Sequence, residues 1–165
     1  MNRKGFTLIE VLAVIIILGI ILVFVVPSIM DIYKNSKLKS EEIFIKRLSQ
    51  SIDSYVKLNN DEITFTDGGT ANKTEEGSSY QVTLVKGTIS VQDIIDSKLL
   101  SNENYINAGN KEASCNINDN IIEVYKDSDY VYCYKVQKES LECLTNEYKA
   151  FLNSTYAIDT CMWSK

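Results

Sequence analysis

The sequence contains no histidine and a single proline among its 165 residues. Histidine is the commonest metal ligand in proteins and the commonest general base near neutral pH, so its absence argues against hydrolytic triads and histidine-bound metal centres. The sequence also lacks a phosphate-binding loop, a nucleophile elbow and a metal-binding cysteine cluster. We therefore expect a protein that is not an enzyme, with no catalytic residue, no cofactor, no metal and no small-molecule substrate.

Charge is missing from one long stretch near the N-terminus. Residues 11–30 contain no Asp, Glu, Lys or Arg. Since a helix rises 1.5 Å per residue, an apolar run of this length spans about 30 Å, the thickness of the apolar core of a bilayer. The run is too long for a conventional cleaved secretory signal, whose apolar part has about 7 to 15 residues. The stretch therefore predicts a membrane-spanning helix.

Basic residues are the minority in the rest of the chain. Arg3, Lys4 and Glu10 are the only charged residues before Asp31, so residues 31–165 hold 15 basic and 21 acidic side chains. Binding to nucleic acid phosphates needs a basic face, and a net charge of −6 offers none on average. We expect no nucleic-acid ligand.

Cysteine is absent until the last third of the chain. An even number of cysteines in a presumed exported region predicts two disulfides, with four free buried thiols as the alternative. We predict the pairing of Cys115 with Cys133 and of Cys143 with Cys161, because both loops enclose the same interval of 18 residues. Two other pairings remain open.

Two residues make the apolar stretch unusual for a plain membrane anchor. Glu10 places a carboxylate among apolar neighbours, where an ionisable group costs several kcal/mol unless it finds a partner. Pro27 removes a backbone donor and therefore kinks or locally unwinds a helix, or marks its end. Glu10 thus requires a cation as its partner.

The residues RKGFTLIE, followed by an apolar helix with Gly19 and Pro27, resemble the prepilin signature of type IV pilins and of secretion or competence pseudopilins. The resemblance covers about the first 35 residues. It implies that a prepilin peptidase cuts between Gly5 and Phe6 on the cytoplasmic face, and that Phe6 is then N-methylated. The apolar helix stays in the mature protein.

The resemblance also implies roles for the residues of the helix. Glu10 would set the register between subunits by pairing with the amine of a neighbouring Phe6, because an unpaired charge in an apolar bundle is costly. Gly19 and Pro27 would permit a kink or local melting. The implied partners are other pilin subunits, the prepilin peptidase and an assembly platform in the cytoplasmic membrane. The protein would be a single-pass membrane protein before assembly and part of a surface filament afterwards.

The implied fold is α+β: a long N-terminal helix packed against a small antiparallel sheet. We expect a leader at residues 1–5, a membrane or filament-core helix at 6–30 and a globular domain at 31–165. The helix continues to about residue 58, because an amphipathic stripe follows the apolar run. This stripe consists of Leu38, Ile45, Leu48, Ile52 and Tyr55.

Turn residues and alternation predict the remaining elements. Residues 59–79 are expected to link them with little regular structure, apart from a possible short strand at 63–66. Asp127 and Asp129 lie in a hairpin turn and are interpreted as turn residues, with calcium ligands as the alternative. The predicted elements are a strand at 80–85, a helix at 90–100 with Ser90 as its N-cap, a hairpin of 121–125 with 130–136, and a helix at 141–152.

Three functions follow from this sequence. The first is a subunit of a type IV pilus, major or minor, for adhesion, aggregation or motility. The second is a pseudopilin of a type II secretion or competence machine. The third is a membrane-anchored protein whose N-terminus is similar to a prepilin by chance.

Overall fold

The computed structural model describes residues 7–75, 77–101, 115–161 and 163. The chain divides into two compact units, Met1–Lys37 and Leu38–Lys165. Helix α1, Leu8–Leu58, is continuous and contributes residues to both units. The second unit, called the body below, combines this helix with an antiparallel sheet. The predicted α+β fold and the predicted end of the long helix are confirmed.

The sheet has five strands in sequential order, and each strand pairs antiparallel with the next. Antiparallel neighbours can be joined by short turns, which accounts for two of the four connections, and the other two connections are longer and contain short helices. The strands are β1 (Thr66–Glu75), β2 (Ser78–Ile89), β3 (Ile122–Lys126), β4 (Tyr132–Gln137) and β5 (Tyr156–Asp159).

In the described part of the chain, four short helical segments accompany the sheet. Ser90 caps α2 as predicted, because its side chain accepts from Asp93 N while its own backbone N donates to Asp93 Oδ2. This reciprocal capping box satisfies two donors that a helix start leaves open. Thr145 caps α3 in a similar way through Tyr148 N. The segments are α2 (Val91–Asp96), α3 (Asn146–Phe151) and the 3-10 helices Asn60–Glu62 and Lys138–Ser140.

One face of the sheet forms the main core with the second half of α1. Leu48 and Ile52 are completely buried there, as are Val124 of β3 and Val136 of β4. Spacings of three and four residues place apolar side chains on one side of a helix, which explains why the predicted stripe becomes the buried side. Burying one such side chain contributes about 1.5 to 3 kcal/mol. The buried residues of α1 in this core are Phe44, Leu48, Ile52, Tyr55 and Val56.

The opposite face of the sheet carries a second, smaller apolar cluster. Successive side chains on a strand point to opposite faces, so Tyr125 and Cys133 lie on the other side from Val124 and Tyr134. Cys161 and Trp163 pack against this outer cluster. Its buried members are Ala71, Val82, Leu84, Tyr125 and Cys133.

The prediction of a mostly irregular link at residues 59–79 is wrong. All of β1 and the start of β2 lie in this range. Among residues 66–74 of β1, whose burial is described, only Ala71 is buried. The strand therefore has no apolar alternation that the sequence could reveal, and its backbone pairing with β2 holds it. The register shifts between Asp67 and Gly69, where Gly69 has a φ of 79°, a conformation that suits glycine.

The other predicted elements exist with different bounds. β2 continues past 80–85 through Gly87, where a Cβ would lie 2.6 Å from Ile63 Cγ2, so only glycine permits this packing. The hairpin of β3 and β4 is confirmed with its bounds shifted by one or two residues. The predicted helices at 90–100 and 141–152 shorten to α2 and α3, and β5 was not predicted.

Two disulfides form, as predicted, but the predicted pairing is wrong. Cys115 bonds to Cys143, and Cys133 bonds to Cys161. Their Cα atoms are 4.5 and 5.0 Å apart, within the range that a disulfide spans. Cys115 and Cys143 belong to the main core, between the sheet and α1, whereas Cys133 belongs to the outer cluster. The predicted bonds would therefore have to cross the sheet.

Candidate assembly site

The first half of α1 exposes its apolar side chains. Its most apolar window of 18 residues has a mean hydropathy of 3.3, and none of that window is buried within the protein. By length and composition, this helix could cross a membrane. A continuous apolar surface of this kind is typical of a membrane contact or a protein contact.

Glu10 lies in the first turn of α1, where it contacts Thr7. The backbone N and the Oγ1 of Thr7 donate to Glu10 Oε2, at 2.9 and 2.8 Å. A side chain at the third helical position that accepts from the N-cap backbone forms one half of a capping box. The single chain therefore provides Glu10 with a local partner that the sequence interpretation did not include.

The arrangement leaves one oxygen of this carboxylate available. Both bonds from Thr7 use Oε2, and Glu10 Oε1 accepts no hydrogen bond from any residue that the structure describes. Glu10 is exposed, so an amine of another molecule can approach it. Gly5 and Phe6, the predicted cleavage and methylation residues, lie outside the described residues.

Helix α1 runs without interruption through Gly19 and Pro27. A Cβ on Gly19 would meet nothing within 4 Å, so no packing within the single chain requires a glycine there. Beside Pro27, Ser28 Oγ donates to the backbone O of Phe24 at 3.5 Å. Kinking or melting at the two residues stays a prediction about the assembled state.

Glu41 is a buried carboxylate that the sequence analysis missed. It lies on α1 with no exposure, and it accepts from the backbone N and the Oγ1 of Thr145 at 2.7 and 2.9 Å. These bonds tie the start of α3 to α1. Glu41 precedes Phe44 by three residues and Leu48 by seven, so an acid on the apolar stripe was the signal that could have found it.

Tyrosines bury their phenol groups in the body. Burial raises the pKa of Tyr125 above its ordinary value, and the hydrogen bond from its hydroxyl to Glu123 Oε2 (2.9 Å) raises it further. Burial also raises the pKa values of Tyr55, Tyr134 and Tyr148. These phenols stay neutral in the folded body across the physiological pH range.

Asp127 and Asp129 serve the hairpin turn. Oδ1 of Asp127 accepts from the backbone N groups of Asp129 and Val131, both at 2.9 Å. This is the hydrogen bonding of a turn residue. In the described part of the chain, no group of three or more His, Cys, Asp or Glu side chains could hold a metal ion.

Comparison with known proteins gives one family match at the N-terminus and one similar protein over about a third of the chain. Residues 1–26 match the family model of the prokaryotic N-terminal methylation motif. The type II secretion system core protein G of Pseudomonas aeruginosa is 39% identical over 59 residues, which are 36% of this chain and 41% of that protein. The similar region thus spans less than half of the relative. No solved structure matches the chain.

Proposed function

We propose that this chain is a prepilin-type subunit of a type IV pilus, held in the cytoplasmic membrane by α1 and polymerised through that helix into a surface filament. One observation carries the proposal: the methylation motif at residues 1–26 includes the start of α1, a helix whose first half exposes an apolar surface. If this segment were a cleaved signal peptide, cleavage would remove the exposed apolar surface from the mature protein. A retained helix of this kind can serve as the anchor before assembly and as the contact between subunits afterwards.

The geometry of Glu10 supports a role in assembly. Cleavage before Phe6 creates a new amine, and Glu10 Oε1 is open to an amine of a neighbouring subunit. In an apolar bundle the pair attracts strongly, and an uncompensated charge is costly, so only registers that bring the two groups together are stable. The proposed role of the protein is therefore structural rather than catalytic.

A pseudopilin of a type II secretion machine is the second candidate. The similarity to the type II secretion system core protein G favours it. Both candidates use the same N-terminal chemistry and differ in the length and the location of the polymer. The amount of subunit sheared from intact cells distinguishes them at native expression, because a pilus extends beyond the cell surface.

N-terminal processing tests the proposal. We expect mass analysis of the protein from its own host to find a chain that begins at Phe6 with a methylated amine. Replacement of Gly5 by Leu should leave an uncut precursor in the membrane, whereas the matched change Gly19→Leu should leave processing intact. A mature chain that retains Met1, or that begins beyond Met30, would contradict the proposal.

A further inference from the structure

The turn between β3 and β4 is held by one buried carboxylate. Asp127 is 3% exposed, and its Oδ1 accepts from the backbone of Asp129 and Val131. Its backbone N donates to Val131 O, and Tyr130 N donates to its backbone O. Its Oδ2 lies 3.6 Å from Nζ of Lys73. These contacts join the start of the turn to its end, and the turn to β1, and so fix its conformation.

The fixed turn holds Tyr130 in a conformation that costs free energy. The φ of Tyr130 is 62°, in the left-handed region that few bulky residues adopt. Its side chain is 68% exposed, and the adjacent Val131 is 46% exposed. Strain of this kind persists only where surrounding structure imposes it, and it concentrates at functional sites. Exposed tyrosines are also frequent among the side chains that dominate protein–protein binding.

A lysine lies beneath the exposed ring. Nζ of Lys126 is 4.0 Å from the ring centroid of Tyr130, and 5.6 Å from those of Phe65 and Tyr132. Aromatic faces attract a cation at such distances. Within the described residues, no carboxylate forms an ion pair with Lys126. The turn therefore presents an aromatic ring backed by a positive charge that lacks an acidic partner there.

We propose that this tip, defined as Lys126, Tyr130 and Val131, docks onto an acidic surface of a second copy of the chain. The proposal rests on the proposed function, because it assigns a contact between the bodies of adjacent subunits. Charge complementarity of a local kind favours a second copy, since the body itself carries a groove lined by three carboxylates that can face Lys126. A contact between a tip and a different surface of the next copy is heterologous, and such contacts propagate into open polymers.

A groove at the end of α1 is the matching surface. Its volume is about 420 Å³, and three carboxylates line it together with apolar side chains. The carboxylates suit the ammonium of Lys126, and the apolar side chains suit the ring of Tyr130. The acidic residues are Glu62, Asp93 and Asp96, and the apolar and aromatic ones are Tyr55, Leu58 and Leu99.

Photochemical crosslinking of the full chain in its own host tests the contact. Tyr130 is replaced by benzoylphenylalanine, which keeps an aromatic ring at the tip, and Ile16 carries the same group in a matched control. We expect both positions to yield dimers of this chain, with the Tyr130 adduct attached to a peptide of the groove. Dimers from Ile16 alone, or an adduct of Tyr130 with another protein, would overturn the docking proposal. Dimers from Tyr130 alone would support the tip contact and contradict assembly through α1, and dimers from neither would overturn both.

Charge exchange tests the chemistry of the contact. In the chain that carries benzoylphenylalanine in place of Tyr130, Lys126→Glu should lower the yield of crosslinked dimer about tenfold. Lys126→Arg should preserve that yield, because it keeps the positive charge. A copy with Glu62→Lys and Asp96→Lys should restore the yield of the Lys126→Glu chain. If Lys126→Glu fails to form its disulfides, Lys126→Gln replaces it, with an expected loss of about threefold. A yield that does not respond to either change contradicts the proposal.

Discussion

The same residue types behave in opposite ways in the two units of this chain. Leu8 in the first unit is 87% exposed, whereas Leu48 in the second is completely buried, although both belong to α1. The body buries its own apolar side chains on both faces of one sheet. The first unit exposes an apolar surface that water disfavours, and such a surface is stabilised by contact with a membrane or with another protein. One helix thus combines a segment with an exposed apolar surface and a segment that is buried against the sheet.

The largest expected effect separates assembly from folding. Glu10→Ala should leave the body folded and exported but reduce incorporation into filaments at least a hundredfold, because a buried amine without its partner costs about 3 to 5 kcal/mol. The measurement is the ratio of sheared filament subunit to membrane subunit, in cells that also express the unaltered chain.

Thr7→Ala is the control for that experiment. It removes the hydroxyl donor to Glu10 but leaves the carboxylate in place. If Glu10 acts only as a local cap, the two variants should have equally small effects. Incorporation of Glu10→Ala at the level of the unaltered chain would refute the role in register.

Truncation of one leucine and one isoleucine tests whether the two halves of α1 contribute differently to the stability of the body. Leu48→Ala should lower the free energy of unfolding of the body by about 2 to 5 kcal/mol, because it leaves a cavity in the core. Ile16→Ala should change it by less than about 0.5 kcal/mol, because its side chain is exposed in the single chain. Urea titration of the full chain in detergent, followed by tyrosine circular dichroism, measures both. A comparable loss in the two variants would mean that the first unit supports the body.

Removal of the Cys133–Cys161 disulfide, which closes a sequence separation of 28, should destabilise the body by about 3.6 kcal/mol in the chain-entropy account, with alanine at both positions. The change should also release the only tryptophan from the outer cluster, which shifts its fluorescence to longer wavelength. Alanines at Cys115 and Cys143 should leave that fluorescence unchanged, because this pair lies in the main core, on the other face of the sheet from the tryptophan. Peptide mapping that joins Cys115 to Cys133 would contradict the structure.

The smallest expected effect is a loss of stability in alkali. Because the pKa of Tyr125 is raised in the folded body, the unfolded chain ionises first, near pH 10, and unfolding then releases protons. The stability of the body is therefore fully present below about pH 10 and falls as the pH rises further. The urea midpoint should fall less between pH 9 and pH 11 in Tyr125→Phe than in the unaltered chain. An identical fall in both proteins would show that this phenol does not contribute.

Patterns that lie close together in sequence were sufficient to predict the long helix and the candidate assembly residues. The apolar run and the motif around Gly5 and Glu10 are contiguous, and the stripe of α1 depends only on steps of three and four residues. The N-cap at Ser90 and the turn at Asp127 are similarly local. In each case the residues that decide the conformation are neighbours on the chain, so no knowledge of the fold is needed to interpret them.

The tertiary structure decided everything that depends on which face of the sheet a residue occupies. Equal spacing suggested one disulfide pairing, and the alternation of side chains across β4 imposed another, because Cys133 and Cys115 lie on opposite faces. β1 has almost no apolar pattern and exists through its pairing with β2. The rings around Lys126 come from Phe65, Tyr130 and Tyr132, and Phe65 lies far from the other two in sequence. Such contacts form only after the strands pair, and a single sequence does not specify that register by local pattern alone.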